Sequence, residues 1–181
     1  MRGRGRMLLA LGIAITLVGV ACDDDGDDAS SKEKTDTTAR DAEHEERPEC
    51  EVVGDASKAT SRVSVLLSEF IVTPEPAEVA AGTVTLAADN KGGDAHELVV
   101  VKAADAASLP KADDGSVDED ALPEGAFIGE IEPFPSKTTC EGTFTLGVGS
   151  YVLFCNIVEE EEDGTIENHF TNGMVATLAV T

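Results

Sequence analysis

The sequence predicts an all-β fold, an antiparallel sandwich or barrel of about eight short strands. Apolar and polar residues alternate with period two in short runs, as where Val63 and Val65 interleave with Arg62 and Ser64. Turn-forming clusters separate the runs, Asp89-Asn90-Lys91-Gly92-Gly93-Asp94 being the plainest. Little of the chain carries a helical period. The exception is a long acidic excursion near 103–126, rich in alanine and broken by Pro110 and Pro123, with a short helix expected over Ala104–Leu109.

Taken in order, the chain begins with a targeting segment over 1–21. Arg2, Arg4 and Arg6 precede the uncharged run Leu8–Val20. That run is too short for a membrane-spanning helix, which needs about 20 residues, but it suits a secretory signal. Small residues then lead to Cys22, and VGVAC resembles the lipobox of bacterial lipoproteins, departing from it at Gly19 where leucine is usual. The resemblance implies that Cys22 is lipidated and becomes the mature N-terminus; plain secretion is the alternative. Residues 23–49 have alanine as their only apolar type and dense charge, the composition of a disordered acidic linker. His44 lies within it and reads as solvated, or as a transient metal-capturing group beside its acidic neighbours.

One domain is expected over 50–181. Strands are expected around Arg62–Val65, Phe70–Val72, Thr83–Ala87 and Leu98–Val101. Beyond the excursion they resume at Phe127–Ile131, Gly142–Leu146, Ser150–Phe154 and Val175–Val180. Pro74 and Pro76 mark an edge or a strand switch. The core would rest on Val, Leu, Ile and the 6 Phe, and about 120 residues suffice for it.

The formal charge is −23, and more acidic still without the arginines of the leader. Such a field repels nucleic acid and anionic lipid head groups, so the membrane would be reached through the lipid anchor only. It favours encounter with a basic partner, or merely keeps an exported protein soluble. There are 4 cysteines: Cys22, Cys50, Cys140 and Cys155. In an oxidising compartment free thiols tend to pair. A disulfide between Cys50 and Cys140 would leave Cys155 single, a thiol that metal ligation would explain. A Cys140–Cys155 bond would consume it.

Cys155, His169 and Met174 follow one another near the end of a chain with only 3 histidines and 3 methionines. If Met1 and Met7 leave with the signal, Met174 is the sole methionine. His96, at the end of the Asp89–Ala95 loop, is the second imidazole within reach. A thiolate, two imidazoles and a weak axial thioether are the ligand set of a blue-copper electron-transfer site. Cys155 closes one expected strand and Met174 opens the last, so three of the four come from one loop, and rigid strand ends would hold them.

These residues resemble the cupredoxins, the plastocyanin- and azurin-like blue copper family. The family has an Asn- or Gly-rich loop ending in histidine, then Gly-x-Tyr-x-x-x-Cys, histidine, and methionine after Gly before a closing strand. Asn90 and His96, Gly149-Ser150-Tyr151-Val152-Leu153-Phe154-Cys155, His169 and Gly173-Met174 stand in that order here. The resemblance covers residues 60–181. It implies a Greek-key sandwich, one type 1 copper, and His96, Cys155, His169 and Met174 as its ligands. One departure stands out: the step from Cys155 to His169 is 14 residues, where familiar members use a few. The added residues include five consecutive acids, Glu159–Asp163. They would either project as a hairpin tip or displace His169, and an acidic cluster beside the site would favour Cu(II), blunted by solvent screening. Glu97 would orient an imidazole as an outer acceptor or face water.

The functional expectation is therefore a non-enzymatic copper electron carrier, monomeric, tethered at the outer face of the cytoplasmic membrane or else periplasmic or secreted. It would exchange electrons with a redox protein that carries a basic docking surface. His169, in the loop, would be the electron's exit. The alternatives are a copper delivery or scavenging protein without redox turnover, and a metal-free interaction domain. Ser/His/Asp, HExxH and phosphate-loop patterns are all missing, which argues against an enzyme.

Overall fold

The computed structural model describes residues 50–161 and 163–181; the expected signal, the lipidated Cys22 and the acidic linker with His44 lie outside them. The first alternating run forms β1, Ser61–Ser68, which buries Val63, Val65 and Leu67 and turns Arg62, Ser64 and Leu66 outward. β2, Ile71–Glu75, buries Val72 and Pro74. It lies at a sheet edge, where a proline costs no ladder hydrogen bond. After the two-residue β3, Glu78–Val79, come β4, Gly82–Asn90, and β5, His96–Lys102. The excursion follows, and its only regular structure is two 3-10 turns, Ala106–Ser108 and Glu119–Ala121. The short helix expected over Ala104–Leu109 is the first of these. β6 spans Phe127–Phe134, β7 Thr139–Leu146 and β8 Gly149–Phe154. A small hairpin of β9, Val158–Glu160, and β10, Ile166–Asn168, leads into a single helical turn α1, His169–Asn172, and then β11, Val175–Val180.

Apart from the two-stranded β9–β10 hairpin, the strands form two sheets, ordered β2-β1-β4-β7 and β3-β11-β8-β5-β6. They are mixed rather than purely antiparallel: β1 runs parallel to β4, and β3 parallel to β11. Neither parallel pair joins strands consecutive in the chain, and β3 lies beside the last strand, crossovers that local alternation cannot reveal. The strands beyond the expected eight are β3 and the hairpin β9–β10.

Between the sheets Val63, Val65, Leu67, Leu86, Leu98, Val100, Ile131, Phe134, Leu153 and Leu178 form the principal core. A second cluster lies on the other face of the five-stranded sheet. There Val99, Val101, Val152 and Phe154 pack under Leu109 and Val117 of the excursion and Phe170 of α1. This explains why β5 and β8 are nearly continuous apolar runs: both faces are covered. Cys50 and Cys140 are joined by a disulfide across a sequence separation of 90, which fastens the start of the domain to β7, while Cys155 is free and buried.

Candidate metal centre

β5 begins at His96, and the turn before it is held from two sides. Asn90, fully buried, accepts the Gly92 amide through Oδ1 (3.0 Å) and donates through Nδ2 to the Asp94 carbonyl (2.8 Å). Glu69, between β1 and β2, accepts the Gly93 and Asp94 amides at 2.7 and 3.0 Å. Burial alone would raise the Glu69 carboxyl, yet these amides and the nearby His96 hold it below its usual value. A Cβ on Gly92 would collide with Glu69 Oε1 and lie 2.8 Å from His96 Nε2, so glycine is what lets the turn close over the imidazole. The loop acts as a fixed bracket for His96.

Cys155 directly follows β8 and donates its amide to the Met174 carbonyl at 3.1 Å. Asn156 then locks the strand end. Its amide donates to Glu97 Oε1 (2.7 Å), its Oδ1 accepts the Val117 amide (2.7 Å), and its Nδ2 donates to the Val117 carbonyl (3.0 Å). Glu97, expected to orient an imidazole or face water, instead braces the backbone beside the thiol. Its carboxyl is pushed up to about 7, first by burial and then by the like charges of Glu130, Glu119 and Glu132, against the Asn156 amide.

The long step to His169 resolves as the hairpin. The His169 amide donates to the Ile157 carbonyl at 3.0 Å, so the chain returns beside the point it left. Asn168 caps α1 by accepting the Thr171 amide at 2.9 Å, and the Met174 amide donates to the His169 carbonyl at 2.9 Å. His169 is thus not displaced.

The result is a buried triad. His169 Nδ1 lies 3.3 Å from His96 Nδ1 and 3.3 Å from Cys155 Sγ. All three side chains are fully buried, as is Met174. Donors each about 2.0–2.3 Å from one shared cation stand roughly 3.3–3.7 Å apart; the two spacings from His169 Nδ1 fall in that range, and all three donor atoms lie within 4.8 Å of one another. Burial pushes the Cys155 thiol up to about 12, and His96 is lowered by burial and then by His169. In this pocket a cation would find three soft-to-borderline donors, two imidazole nitrogens and one sulfur, already assembled.

The outward nitrogens meet carboxylates. Glu69 Oε1 is 3.3 Å from His96 Nε2, and Glu159 and Glu167 lie 3.4 and 3.3 Å from His169 Nε2. His169, expected in an exposed loop, is covered by the hairpin. None of the three glutamates stood out in the sequence. Glu159 sat inside an acid run that reads as a solvated loop, and only alternation within a hairpin could have singled it out together with Glu167.

No protein-family model and no curated protein matches the chain in sequence. Among solved structures it is similar to dithionite-reduced auracyanin from Roseiflexus castenholzii, at 19% identity over 68% of this chain and 98% of that one, with a TM-score of 0.47. It is also similar to auracyanin A of Chloroflexus aurantiacus, described as a "blue" copper protein, at 24% identity over 66% and 98%, TM-score 0.45. Reduced rusticyanin matches at 19% identity over 67% and 79%, TM-score 0.43.

Proposed function

We propose that this chain is a cupredoxin-type blue copper protein that carries electrons and catalyses no reaction of its own. The observation that supports this most directly is the convergence of His96 Nδ1, His169 Nδ1 and Cys155 Sγ in a buried pocket beside the buried Met174. Copper held there would supply one-electron exchange between its +1 and +2 states. His96, His169 and Cys155 would hold it, with the Met174 thioether available as a weaker fourth donor. Cys155 would have to give up its proton on binding, since the thiolate is the ligand. The Asn90 and Glu69 bracket, the Asn156 lock and the Ile157–His169 closure keep the donors from moving, which small reorganisation between oxidation states requires.

Export, lipidation at Cys22 and the acidic linker over 23–49 complete the reading: a monomer tethered at the outer face of the cytoplasmic membrane. Its redox partner would present a basic surface to the acidic loops around His169, which are Glu159, Glu161 and Glu167. The test is to add Cu(II) to the full chain and record visible and electron paramagnetic resonance spectra beside a Cys155→Ser variant. One intense blue band per chain, absent from the variant, is expected. Colourless stoichiometric binding would instead favour delivery or scavenging, and no binding would leave an interaction domain.

A further inference from the structure

The hairpin holds a contradiction that the copper reading does not absorb. Glu159 and Glu167 are directly opposite one another across β9 and β10. Like charges in that position destabilise a hairpin. Both nevertheless turn toward the same atom, His169 Nε2, which is buried and makes no hydrogen bond. Their oxygens stop 3.4 and 3.3 Å from it. A charge-assisted N–H···O hydrogen bond would bring them to about 2.7–2.9 Å. Donors bound at about 2.0–2.1 Å to one tetrahedral ion would stand about 3.3 Å apart. The two N–O spacings leave room for the second case.

We infer that Glu159, Glu167 and His169 Nε2 form a second cation site, separate from the buried triad and sharing the His169 imidazole with it; with both ions bound, the ring releases its one N–H proton to water and bridges them as imidazolate. The three donor atoms lie within 4.8 Å of one another. Among the described residues no lysine or arginine forms an ion pair with either glutamate, so their charge is uncompensated. The side chains are 46% and 24% exposed, which leaves the solvent side open for an ion to enter and for water to fill a fourth position. One imidazole and two carboxylates suit a borderline divalent ion, with Zn2+ as the type case. Calcium wants six to eight oxygens and magnesium keeps most of its waters, so neither fits a site with a nitrogen and two carboxylates. Only the sharing of His169 with copper rests on the proposed function; the hairpin site stands on its own donors.

The test is zinc binding by the full chain, by equilibrium dialysis with elemental mass spectrometry. Three proteins are compared: the copper-loaded chain, the copper-free Cys155→Ser variant, and the copper-loaded Glu159→Gln/Glu167→Gln variant. The first two should each take one zinc per chain, the first with its copper retained. In the third, affinity should fall by more than the roughly 10–100-fold typical of losing an outer partner, because direct ligands are removed. Zinc that binds equally well without the glutamates, that displaces copper instead of adding to it, or that fails to bind at millimolar concentration overturns the inference. If the chain takes no copper, the proposed function fails while the Cys155→Ser protein still decides the hairpin site. If the double variant does not fold, Glu159→Gln alone is read, with at least about a tenfold loss expected.

Discussion

Replacing both Cys50 and Cys140 with alanine should cost this domain a large part of its stability. The bond closes a ring across a sequence separation of 90, which contains β1 to β6. In the chain-entropy account a ring of roughly that length restricts the unfolded chain by about 4.6 kcal/mol at 25 °C. Cys140 is also fully buried, and its lost contacts add about 1 kcal/mol. Domains of this kind have about 5–15 kcal/mol in total, so a loss of about 4–6 kcal/mol is close to the limit. The bond also seats the first described residues on β7, where the Val53 amide donates to Glu141 and Val53 accepts from Thr143. Urea unfolding of the two proteins checks this. The variant's midpoint should fall and its denaturant slope should rise, because the unfolded chain opens further without the ring. A loss below about 1 kcal/mol with an unchanged slope would refute the assignment of the stability to the ring.

Two more perturbations follow from the site's surroundings. Glu97 has a folded-state value of about 7 against an ordinary 4.5, so it contributes most at low pH. Its contribution is complete below about pH 4.5, declines as pH rises to about 7, and is flat above, worth roughly 3 kcal/mol in all. Glu97→Gln can still accept the Asn156 amide, so thermal unfolding should show the variant gaining on the native chain across that window; parallel pH profiles would count against the burial argument. Replacing 158–167 with a short glycine turn should preserve the fold within about 1 kcal/mol, since the ends already meet and loop closure depends weakly on length. His169 should then exchange its ring C–H with solvent faster by NMR, and a failure to fold would show that the hairpin carries structure.

Much of the strand pattern was readable because period-two alternation reports directly on a half-buried strand, as Val63, Val65 and Leu67 do. The parallel partnerships of β1 and β3 were not readable, since alternation says which face is buried and nothing about which strand lies alongside. β5 and β8 looked only like apolar runs, and the reason, a polar excursion folded over their outer face, depends on Leu109 and Val117 being far away in sequence. At the site, the order of Cys155, His169 and Met174 suggested ligands because their chemistry is distinctive. The carboxylates around them were invisible: in a chain this acidic, Glu69, Glu159 and Glu167 look like any other surface acids. Glu97 was noticed for its position beside His96, but adjacent strand residues point to opposite faces, which is why it reaches Asn156 instead.

The folded-over excursion also bears on what happens when the domain opens. Its own apolar anchors are few, chiefly Leu109, Val117 and Leu122, and Asn156 supplies much of the polar attachment. If it detaches while the two sheets stay together, Val99, Val101, Val152, Phe154 and Phe170 become one adhesive strip on an otherwise intact body. Strips of that kind drive molecules to clump. The detached segment carries Asp105, Asp113, Asp114, Asp118, Glu119, Asp120 and Glu124 with it. Those anions then hang as a repelling fringe beside the exposed strip, so the segment that shields the sheet when docked also keeps opened molecules apart in solution.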